Sequence, residues 1–261
     1  MAPLQGLITA ILFLLVSFPS YAEDPAIAKL FNEAGTDGTL VIASLNTEVT
    51  YVHNDARARR RFPTASTFKI LNTLIALEVG AISGKEEVLR WDGHRHDFPD
   101  WNRDQTLESA FQVSCVWCYQ EIARRVGADR YRRYLRETGY GELAEPFDET
   151  AFWLDGSLRI SALEQVEFLK RVYRREPPFR ASAYETLREI MLVEETPTHA
   201  LRAKTGWAAR SDPPIGWFVG YVESPRGLWV FAMNLDIGSQ EDLPLRQELT
   251  KAALREKGVI E

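Results

Sequence analysis

The sequence predicts an α+β domain in which a central antiparallel sheet is flanked by terminal helices and carries an inserted all-helical region. Strand-like segments occur towards both ends of the 261-residue chain, and helical patterns fill its middle. The composition, with 45% hydrophobic and 26% charged residues, is typical of a globular protein. Acidic residues outnumber basic ones, giving a formal net charge of -6, so the charge gives no support for a nucleic-acid partner.

The N-terminal segment differs from the rest because its first 22 residues contain no Asp, Glu, Lys or Arg. An almost continuous apolar run extends from Leu7 to Phe18, and Ser20, Tyr21 and Ala22 follow it as a small-x-small pattern. These features predict a signal peptide cut after Ala22, leaving residues 23–261 as one periplasmic or secreted domain with no membrane attachment. The apolar run is short for a spanning helix, and a retained anchor is the alternative.

The first elements after the predicted cut are a helix and a hairpin. Pro25 to Glu33 has the pattern of a short helix. Gly38 to Leu45 is apolar and rich in β-branched residues, as is typical of a strand. After a turn at Asn46 and Thr47, Glu48 to His53 is expected to pair back on that strand.

The middle of the chain is predicted to be helical. Apolar residues spread around most of the segment Ser66 to Val79, which indicates a buried helix. Further helical patterns lie at Leu107–Val126, Asp129–Glu137, Ser161–Tyr173 and Ala183–Val193. The helical part of the fold would then span about residues 63–182, and the sheet part about residues 23–62 and 183–261.

Strand patterns return near the C-terminus. They lie at Leu201–Lys204, Ile215–Val222 and Leu228–Leu235. The turn sequence Ser224 to Gly227 separates the last two strands. Leu243 to Lys257 is predicted to be a closing amphipathic helix that ends before Gly258.

Ser66 and Lys69 form a Ser-x-x-Lys pattern at the predicted start of the buried helix. Residues three apart share one helix face, so the Lys69 amine can reach the Ser66 hydroxyl. A serine is a poor nucleophile until a base takes its proton, and burial favours the neutral lysine that this requires. The pattern alone is weak, because it occurs by chance about once in a chain of this length. An N-capping serine with an exposed lysine is the alternative.

Two further patterns strengthen the interpretation of Ser66 and Lys69 as catalytic residues. The triplet Lys204–Gly206 reads Lys-Thr-Gly and follows a strand-like run; it is expected by chance only about 0.1 times per chain. Ser114–Val116 lies between Ser66 and this triplet, where a loop is predicted to enter a helix.

This order of Ser-x-x-Lys, Ser-x-Val and Lys-Thr-Gly resembles that of the serine β-lactamases and penicillin-binding proteins. Four longer matches are similar to the class D, or oxacillinase, type. They are Pro63–Lys69, Gln112–Val116, Phe152–Ser161 and Leu243–Arg246. Val116 favours class D, since class A enzymes and most penicillin-binding proteins have Asn at that place. The resemblance extends from about Gly38 to the C-terminus and implies the transpeptidase-like fold of these families.

The resemblance implies a chemical role for each matching residue. Ser66 corresponds to the acylated nucleophile. Lys69 corresponds to a lysine that reacts with CO2, so that the general base would be a carbamate. Phe68, Val116 and Trp153 would surround the carbamate, with the indole N–H of Trp153 donating to it.

The resemblance also implies how the substrate is held. Ser114 would pass a proton towards the departing lactam nitrogen, and Lys204 completes the catalytic set. Backbone N–H groups of Ser66 and Trp207 would form an oxyanion hole. The substrate carboxylate would be bound by Lys204, Thr205 and Arg246, with Gly206 and Trp207 also in the binding site. A small β-lactam is the expected substrate, and no metal or organic cofactor is expected.

Two features depart from the family pattern. The family usually has Tyr-Gly-Asn in its helical part, whereas this chain has Tyr140, Gly141 and Glu142, which leaves the local loop conformation open. Cys115 and Cys118 are expected to be two thiols near one helix face; a redox pair or half a zinc site are the alternatives. His94 and His96, in a charged loop, are expected to be solvated rather than bound to a metal.

Two other functions fit the same motifs. A transpeptidase or carboxypeptidase acting on peptidoglycan would be acylated by β-lactams but deacylate slowly. A β-lactam sensor domain would stay acylated, but such sensors are attached to a membrane-spanning signalling region. The preferred β-lactam and the oligomeric state do not follow from the sequence, and a homodimer is left open.

Overall fold

A computed structural model describes residues 20–261 of the chain. The predicted signal peptide, apart from its last three residues, lies outside the described residues, so its cleavage after Ala22 stays a prediction. No helix within 20–261 is long and apolar enough to cross a membrane. Asp24 caps the first helix by accepting two backbone N–H groups, and it also pairs with Lys257 at 2.6 Å. The chain is therefore fixed to the domain two residues after the predicted cut.

Most of the described strands belong to one antiparallel sheet. In chain order the strands are β1 (Gly38–Ser44), β2 (Thr50–His53), β3 (Phe62–Pro63), β4 (Val88–Leu89), β5 (Gln105–Thr106), β6 (Glu142–Leu143), β7 (Leu158–Ile160), β8 (Leu192–Glu195), β9 (Ala200–Ala208), β10 (Ile215–Ser224) and β11 (Gly227–Asp236). The main sheet has the order β2-β1-β11-β10-β9-β8. Two smaller sheets, β3-β7-β6 and β4-β5, lie in the helical part.

Helices cover both faces of the main sheet. The α-helices of the described residues are α1 (Pro25–Ala34), α2 (Asp55–Arg59), α3 (Lys69–Glu78), α4 (Leu107–Gln112), α5 (Val116–Val126), α6 (Ala128–Thr138), α7 (Ala162–Tyr173), α8 (Ala181–Ile190) and α9 (Leu245–Glu256). Helices α1 and α9 pack on one face, and α7 packs on the other. Short 3-10 helices are formed by Ala65–Phe68, Pro99–Trp101 and Gln240–Asp242.

The side chains of β1 show how the sheet separates two cores. Successive residues of a strand point to opposite faces. Leu40 and Ile42 join the core beneath α1 and α9, and Val41 and Ala43 join the core of the helical part. All seven residues of β1 are buried, because both faces are covered. This arrangement confirms the predicted α+β fold class.

Two predicted helices differ from the structure. The segment Leu107–Val126 is not continuous, because the chain leaves the helical conformation after Gln112 and Ser114 adopts a φ of 56°. The segment Ala183–Val193 ends at Ile190, since Val193 belongs to β8, which pairs with β9 at the edge of the main sheet. In both places tertiary contacts override a local helical pattern.

The expectation of two free thiols is wrong, because Cys115 and Cys118 form a disulfide with their Cα atoms 5.5 Å apart. Cys115 is the N-cap of α5 and Cys118 lies in its first turn, where residues three apart approach each other. Both side chains are completely buried. Burial and the first-turn geometry bring the two sulfur atoms together.

Tyr140 and Gly141 are held by the fold, whereas Glu142 lies at the surface. The Tyr140 ring is buried against Phe68, at 5.9 Å between centroids. Gly141 has a φ of 62°, and a Cβ there would lie 2.2 Å from the carbonyl oxygen of Arg159, so only glycine fits. Glu142 forms an ion pair with Arg61 and pairs with Arg159 across β6 and β7. The loop is therefore ordered by strand pairing, even though Glu142 stands where the family usually has Asn.

Candidate active site

Ser66 and Lys69 lie where a 3-10 turn passes into α3. The predicted helix over Ser66–Val79 therefore starts in a tighter conformation, and Ala65, just before it, has a φ of 45°. Left-handed backbone at a residue other than glycine costs about 1–3 kcal/mol and is found where the surroundings impose it. The Nζ of Lys69 donates a hydrogen bond to the Oγ of Ser66 at 2.9 Å. The predicted Ser-x-x-Lys contact is present.

The Lys69 amine is completely buried. Within residues 20–261 the amine contacts the Ser66 hydroxyl and the face of the Tyr119 ring, whose centroid lies 4.8 Å from Nζ. Burial, and after it the positive charge of Lys204, holds the pKa of Lys69 well below its ordinary value. A neutral amine beside a serine hydroxyl is able to accept its proton.

Lys204 and Ser114 form the second pair of the site. The Nζ of Lys204 on β9 donates a hydrogen bond to the Oγ of Ser114, and it lies 3.4 Å from the Oγ1 of Thr205. Burial, and after it the charge of Arg246, lowers the pKa of Lys204 to about 7. Such an amine exchanges a proton readily near neutral pH. Ser114 faces Lys204 because its left-handed backbone breaks the α4–α5 helix at this point.

Arg246 brings a cation from α9 to the end of β9. Its Nη1 donates to the carbonyl oxygen of Gly206 at 2.8 Å, and its Nε donates to that of Leu243 at 2.6 Å. Burial lowers the pKa of Arg246 to about 10, so it remains a cation at neutral pH. A Cβ on Gly216 of β10 would lie 2.7 Å from the Cδ of Arg246. Glycine at that place leaves room for the arginine side chain.

An aromatic cluster surrounds the turn that carries Lys69. Phe68 is fully buried, and its ring centroid lies 5.0 Å from that of Phe152 and 5.9 Å from that of Trp153. The Nε1 of Trp153 is buried without a hydrogen-bond partner among residues 20–261. Buried N–H groups are nearly always paired in proteins, so an orphaned indole marks a place where an acceptor is expected.

A cavity of about 400 Å³ opens in front of Ser66. Its lining comprises Ser66, Phe98, Trp101, Val113, Ser114, Val116, Leu154, Thr205, Gly206, Trp207, Ala209, Arg210, Leu243 and Arg246. The lining combines the polar side chains of Ser66, Ser114, Thr205 and Arg246 with apolar and aromatic side chains. This is the make-up of a site that orients a small polar molecule through a few groups.

The sequence-predicted residues fall into two layers. Ser66, Ser114 and Val116 line the cavity together with Thr205, Gly206, Trp207 and Arg246. Lys204 is not part of the lining and reaches the site through its hydrogen bond to Ser114. Lys69, Phe68 and Trp153 are fully buried and are absent from the cavity lining. The predicted set of site residues does not include Trp101, whose Nε1 donates to the carbonyl oxygen of Val113 at 2.9 Å, or Tyr119 beneath Lys69. Neither belongs to a motif, and only the folded chain brings them to the site.

His94, His96 and His199 each contact residues that are close to them in the sequence. The rings of His94 and His96 lie 5.1 Å apart in an exposed loop. His199 is buried, with its Nε2 3.0 Å from an oxygen of Glu194 and its Nδ1 3.0 Å from the Oγ1 of Thr196. In the described part of the chain no group of three or more His, Cys, Asp or Glu side chains is placed to hold a metal ion.

Comparison with known proteins gives a consistent result. The family model "Penicillin binding protein transpeptidase domain" matches residues 27–255. The chain is 39% identical over 230 residues to β-lactamase OXA-48 of Klebsiella pneumoniae, covering 88% of this chain and 87% of that protein. It is 42% identical over 231 residues to β-lactamase OXA-20 of Pseudomonas aeruginosa, covering 87% and 85%.

Solved structures agree with the sequence matches. The class D β-lactamase YbXI from Nostoc superposes with a TM-score of 0.87 at 42% identity, covering 89% of this chain and 98% of that one. The class D β-lactamase FUS-1 (OXA-85) from Fusobacterium nucleatum has a TM-score of 0.89 at 35% identity, covering 92% and 100%. Shared motifs, fold and identity over nearly the full length show that this chain belongs to the class D serine β-lactamases.

Proposed function

We propose that the protein hydrolyses β-lactam antibiotics through an acyl-enzyme formed on Ser66. The observation that carries this proposal is the 2.9 Å contact between the hydroxyl of Ser66, which lines the cavity, and the fully buried amine of Lys69. The serine would attack the lactam carbonyl while its proton passes to the base at Lys69. The C–N bond of the ring then breaks, and the carbonyl carbon stays bound to the Ser66 Oγ.

The departing nitrogen needs a proton, and the Ser114–Lys204 pair is placed to supply one. Lys204 with a pKa of about 7 is partly protonated at neutral pH, and its Nζ contacts the Ser114 hydroxyl. We expect the proton to travel from Lys204 through the Ser114 Oγ to the nitrogen. Backbone N–H groups of Ser66 and Trp207 would stabilise the oxyanion.

The substrate carboxylate fits the cationic end of the cavity. Arg246 retains its charge, and Thr205 lines the same cavity with a hydroxyl close to Lys204. A carboxylate bound there would be fixed by charge-assisted hydrogen bonds. The apolar wall would contact the acyl side chain of the antibiotic.

A carbamate on Lys69 is part of the proposal, and the surroundings of Lys69 fit it. Burial lowers the pKa of Lys69 and so favours the neutral amine, which is the form that reacts with CO2, and Trp153 has an unpaired buried N–H to donate. Phe68 and Val116 would keep water from the group. When bound, the carbamate supplies an anionic oxygen base for both half-reactions. Lys69 would hold the group, with the buried side chains of Phe68 and Trp153 beside it, and its Nζ lies 2.9 Å from the Ser66 Oγ.

The competing functions predict different kinetics. A peptidoglycan peptidase or a sensor domain would show one burst of nitrocefin consumption equal to the enzyme concentration. A β-lactamase shows sustained turnover.

Export by the N-terminal segment also belongs to the proposal, and the disulfide supports it because such bonds persist in oxidising compartments.

The test compares the wild-type protein with Ser66→Ala. Wild type should turn over nitrocefin repeatedly, and mass spectrometry after rapid quenching should show one substrate mass added. Ser66→Ala should show neither the added mass nor turnover above background. Its structural control is Ser44→Ala, at a serine whose Oγ accepts only local backbone N–H groups in the β1–β2 turn. Burst-only kinetics in the wild type would refute hydrolysis while leaving acylation intact.

A further inference from the structure

The buried Cys115–Cys118 disulfide closes the turn directly after Ser114, and the proposed reaction does not use its sulfur atoms. Residues 113–115 are the break between α4 and α5. The disulfide therefore links the end of this break to the first turn of α5. The disulfide thus lies directly beside Ser114, a residue of the site.

Ser114 is in a backbone conformation that its neighbours must impose. A φ of 56° at a serine is unfavourable, and such residues persist where the surrounding structure fixes them. On the α4 side the backbone N–H groups of residues 113–115 donate to carbonyl oxygens of α4: Val113 to Ser109 at 2.9 Å, Ser114 to Phe111 at 3.2 Å and Cys115 to Ala110 at 2.9 Å. These bonds orient one end of the turn only.

On the α5 side the usual polar cap is replaced by sulfur. Helices commonly begin with an oxygen-bearing N-cap, whereas here the Sγ of Cys115 accepts from the backbone N–H of Cys118 at 3.3 Å. Sulfur is a weak acceptor. The covalent bond between the two residues therefore supplies the restraint that the cap alone does not.

The ring closed by the disulfide contains two residues that shape the cavity. Val116 lines the cavity itself. Trp117 donates from Nε1 to the carbonyl oxygen of Trp101 at 2.9 Å, and Trp101 in turn donates to Val113 at 2.9 Å. The cavity wall at Trp101 is thus attached to both sides of Ser114.

We propose that the Cys115–Cys118 disulfide is a positioning element that holds the Ser114 hydroxyl against Lys204 for proton transfer. This inference rests on the proposed function, since it assigns the disulfide to the acylation step of that reaction. Loss of the bond would let Ser114 relax towards ordinary helical backbone and move its Oγ away from the Lys204 amine. Carboxylate binding at Arg246, on α9, would be unaffected. The disulfide would therefore govern the acylation rate more than substrate affinity.

The main test is the double variant Cys115→Ser/Cys118→Ala. Serine provides a normal N-cap oxygen, so α5 keeps its cap while the covalent link is lost. The acylation rate constant for a penicillin should fall by about 10- to 100-fold, because a shift of about 1 Å in a catalytic group has an effect of this size. The dissociation constant of the non-covalent complex should change less than threefold. Ile122→Val on the same helix is the matched control, and it should retain both constants.

A second arm uses the wild-type protein with a dithiol reductant. Dithiothreitol breaks the S–S bond, giving two thiols in the protein and a cyclic disulfide in the reagent. Alkylation and mass spectrometry count the thiols, and re-oxidation should restore the rate.

The outcomes separate this inference from the proposed function. An acylation rate equal to that of the wild type, in either the double variant or fully reduced protein, would overturn the positioning role. Equal falls in rate and affinity in the double variant, with a parallel loss in Ile122→Val, would also overturn it by showing a general structural effect. Absence of acylation in the oxidised wild type would instead refute the proposed function.

Discussion

Replacing Lys204 by methionine should abolish activity and stabilise the protein. Methionine has a similar length and no charge, so it fills the buried space without desolvating an amine. Burial lowers the pKa of Lys204 from 10.5 to about 7, which means that the folded protein resists protonation of this group. Removing the amine removes that unfavourable effect.

The size of the stabilisation follows from linkage. At about 1.4 kcal/mol per pKa unit, a pKa lowered from 10.5 to about 7 destabilises the folded state by about 4 kcal/mol at pH 7. Losing the hydrogen bond to Ser114 offsets this by about 1 kcal/mol. We therefore expect Lys204→Met to raise the free energy of unfolding by about 3 kcal/mol at pH 7.

The pH dependence gives the sharper test. Between pH 7 and 10.5 the unfolded chain binds a proton at Lys204 that the folded protein does not, so the stability of the wild type rises with pH in this window. The variant lacks this contribution. The difference in the free energy of unfolding between the variant and the wild type should be largest below pH 7 and shrink as the pH approaches 10.5. Because Lys69 has its own pKa lowered partly by Lys204, the variant should also show a higher Lys69 pKa.

Urea unfolding followed by tryptophan fluorescence at several pH values from 6 to 9 measures both effects. Thr205→Val, at the neighbouring surface of the cavity, is the control, because it removes a hydroxyl without changing a titrating group. A Lys204→Met protein with unchanged stability, and with the same pH dependence as the wild type, would refute the claim that this amine is held against its preference for protonation.

The remaining predictions concern the reaction itself. Removing bicarbonate should lower turnover and restoring it should recover activity; activity independent of bicarbonate at acidic and neutral pH would contradict the carbamate. Lys69→Ala should abolish deacylation, so that any acylated protein accumulates in the mass spectrum, whereas continued turnover would exclude Lys69 as the base. Arg246→Ala should raise KM by about 10- to 100-fold, since a hydrogen bond to a charged group contributes about 1.5–3 kcal/mol. An unchanged KM would place the substrate carboxylate elsewhere.

Local sequence patterns predicted most of the fold because they depend on residues close in the chain. The apolar residues of α3 indicated a buried helix, and Lys69 to Leu77 are all buried. The helical pattern over Ser161–Tyr173 predicted α7, and Ser161 caps that helix by accepting at Oγ from the backbone N–H of Glu164 at 3.2 Å. Such features follow from the three- and four-residue spacing of a helix. They required no knowledge of distant segments.

The local helical patterns did not predict the interruption of Leu107–Val126 or the strand at Val193, although Ser114 itself was expected where a loop enters a helix. Both lie in segments whose local composition suits a helix. Ser114 contacts Lys204 on β9, and the indole of Trp101 donates to the carbonyl oxygen of the preceding residue, Val113. Val193 lies in a strand that pairs with the edge of β9 on either side of a bulge. Tertiary hydrogen bonds outweighed propensities of a few tenths of a kcal/mol.

By itself the sequence determined which chemical groups the protein has and which of them are neighbours along the chain. It specified Ser66 and Lys69 three residues apart at a helix start, and it specified the motif order that indicates the family. Only the tertiary structure decided that Ser114 meets Lys204 across 90 residues, and that burial lowers the pKa of both lysine amines. The reason is physical: desolvation is the summed effect of every segment packed around a group, and no spacing along one segment encodes it.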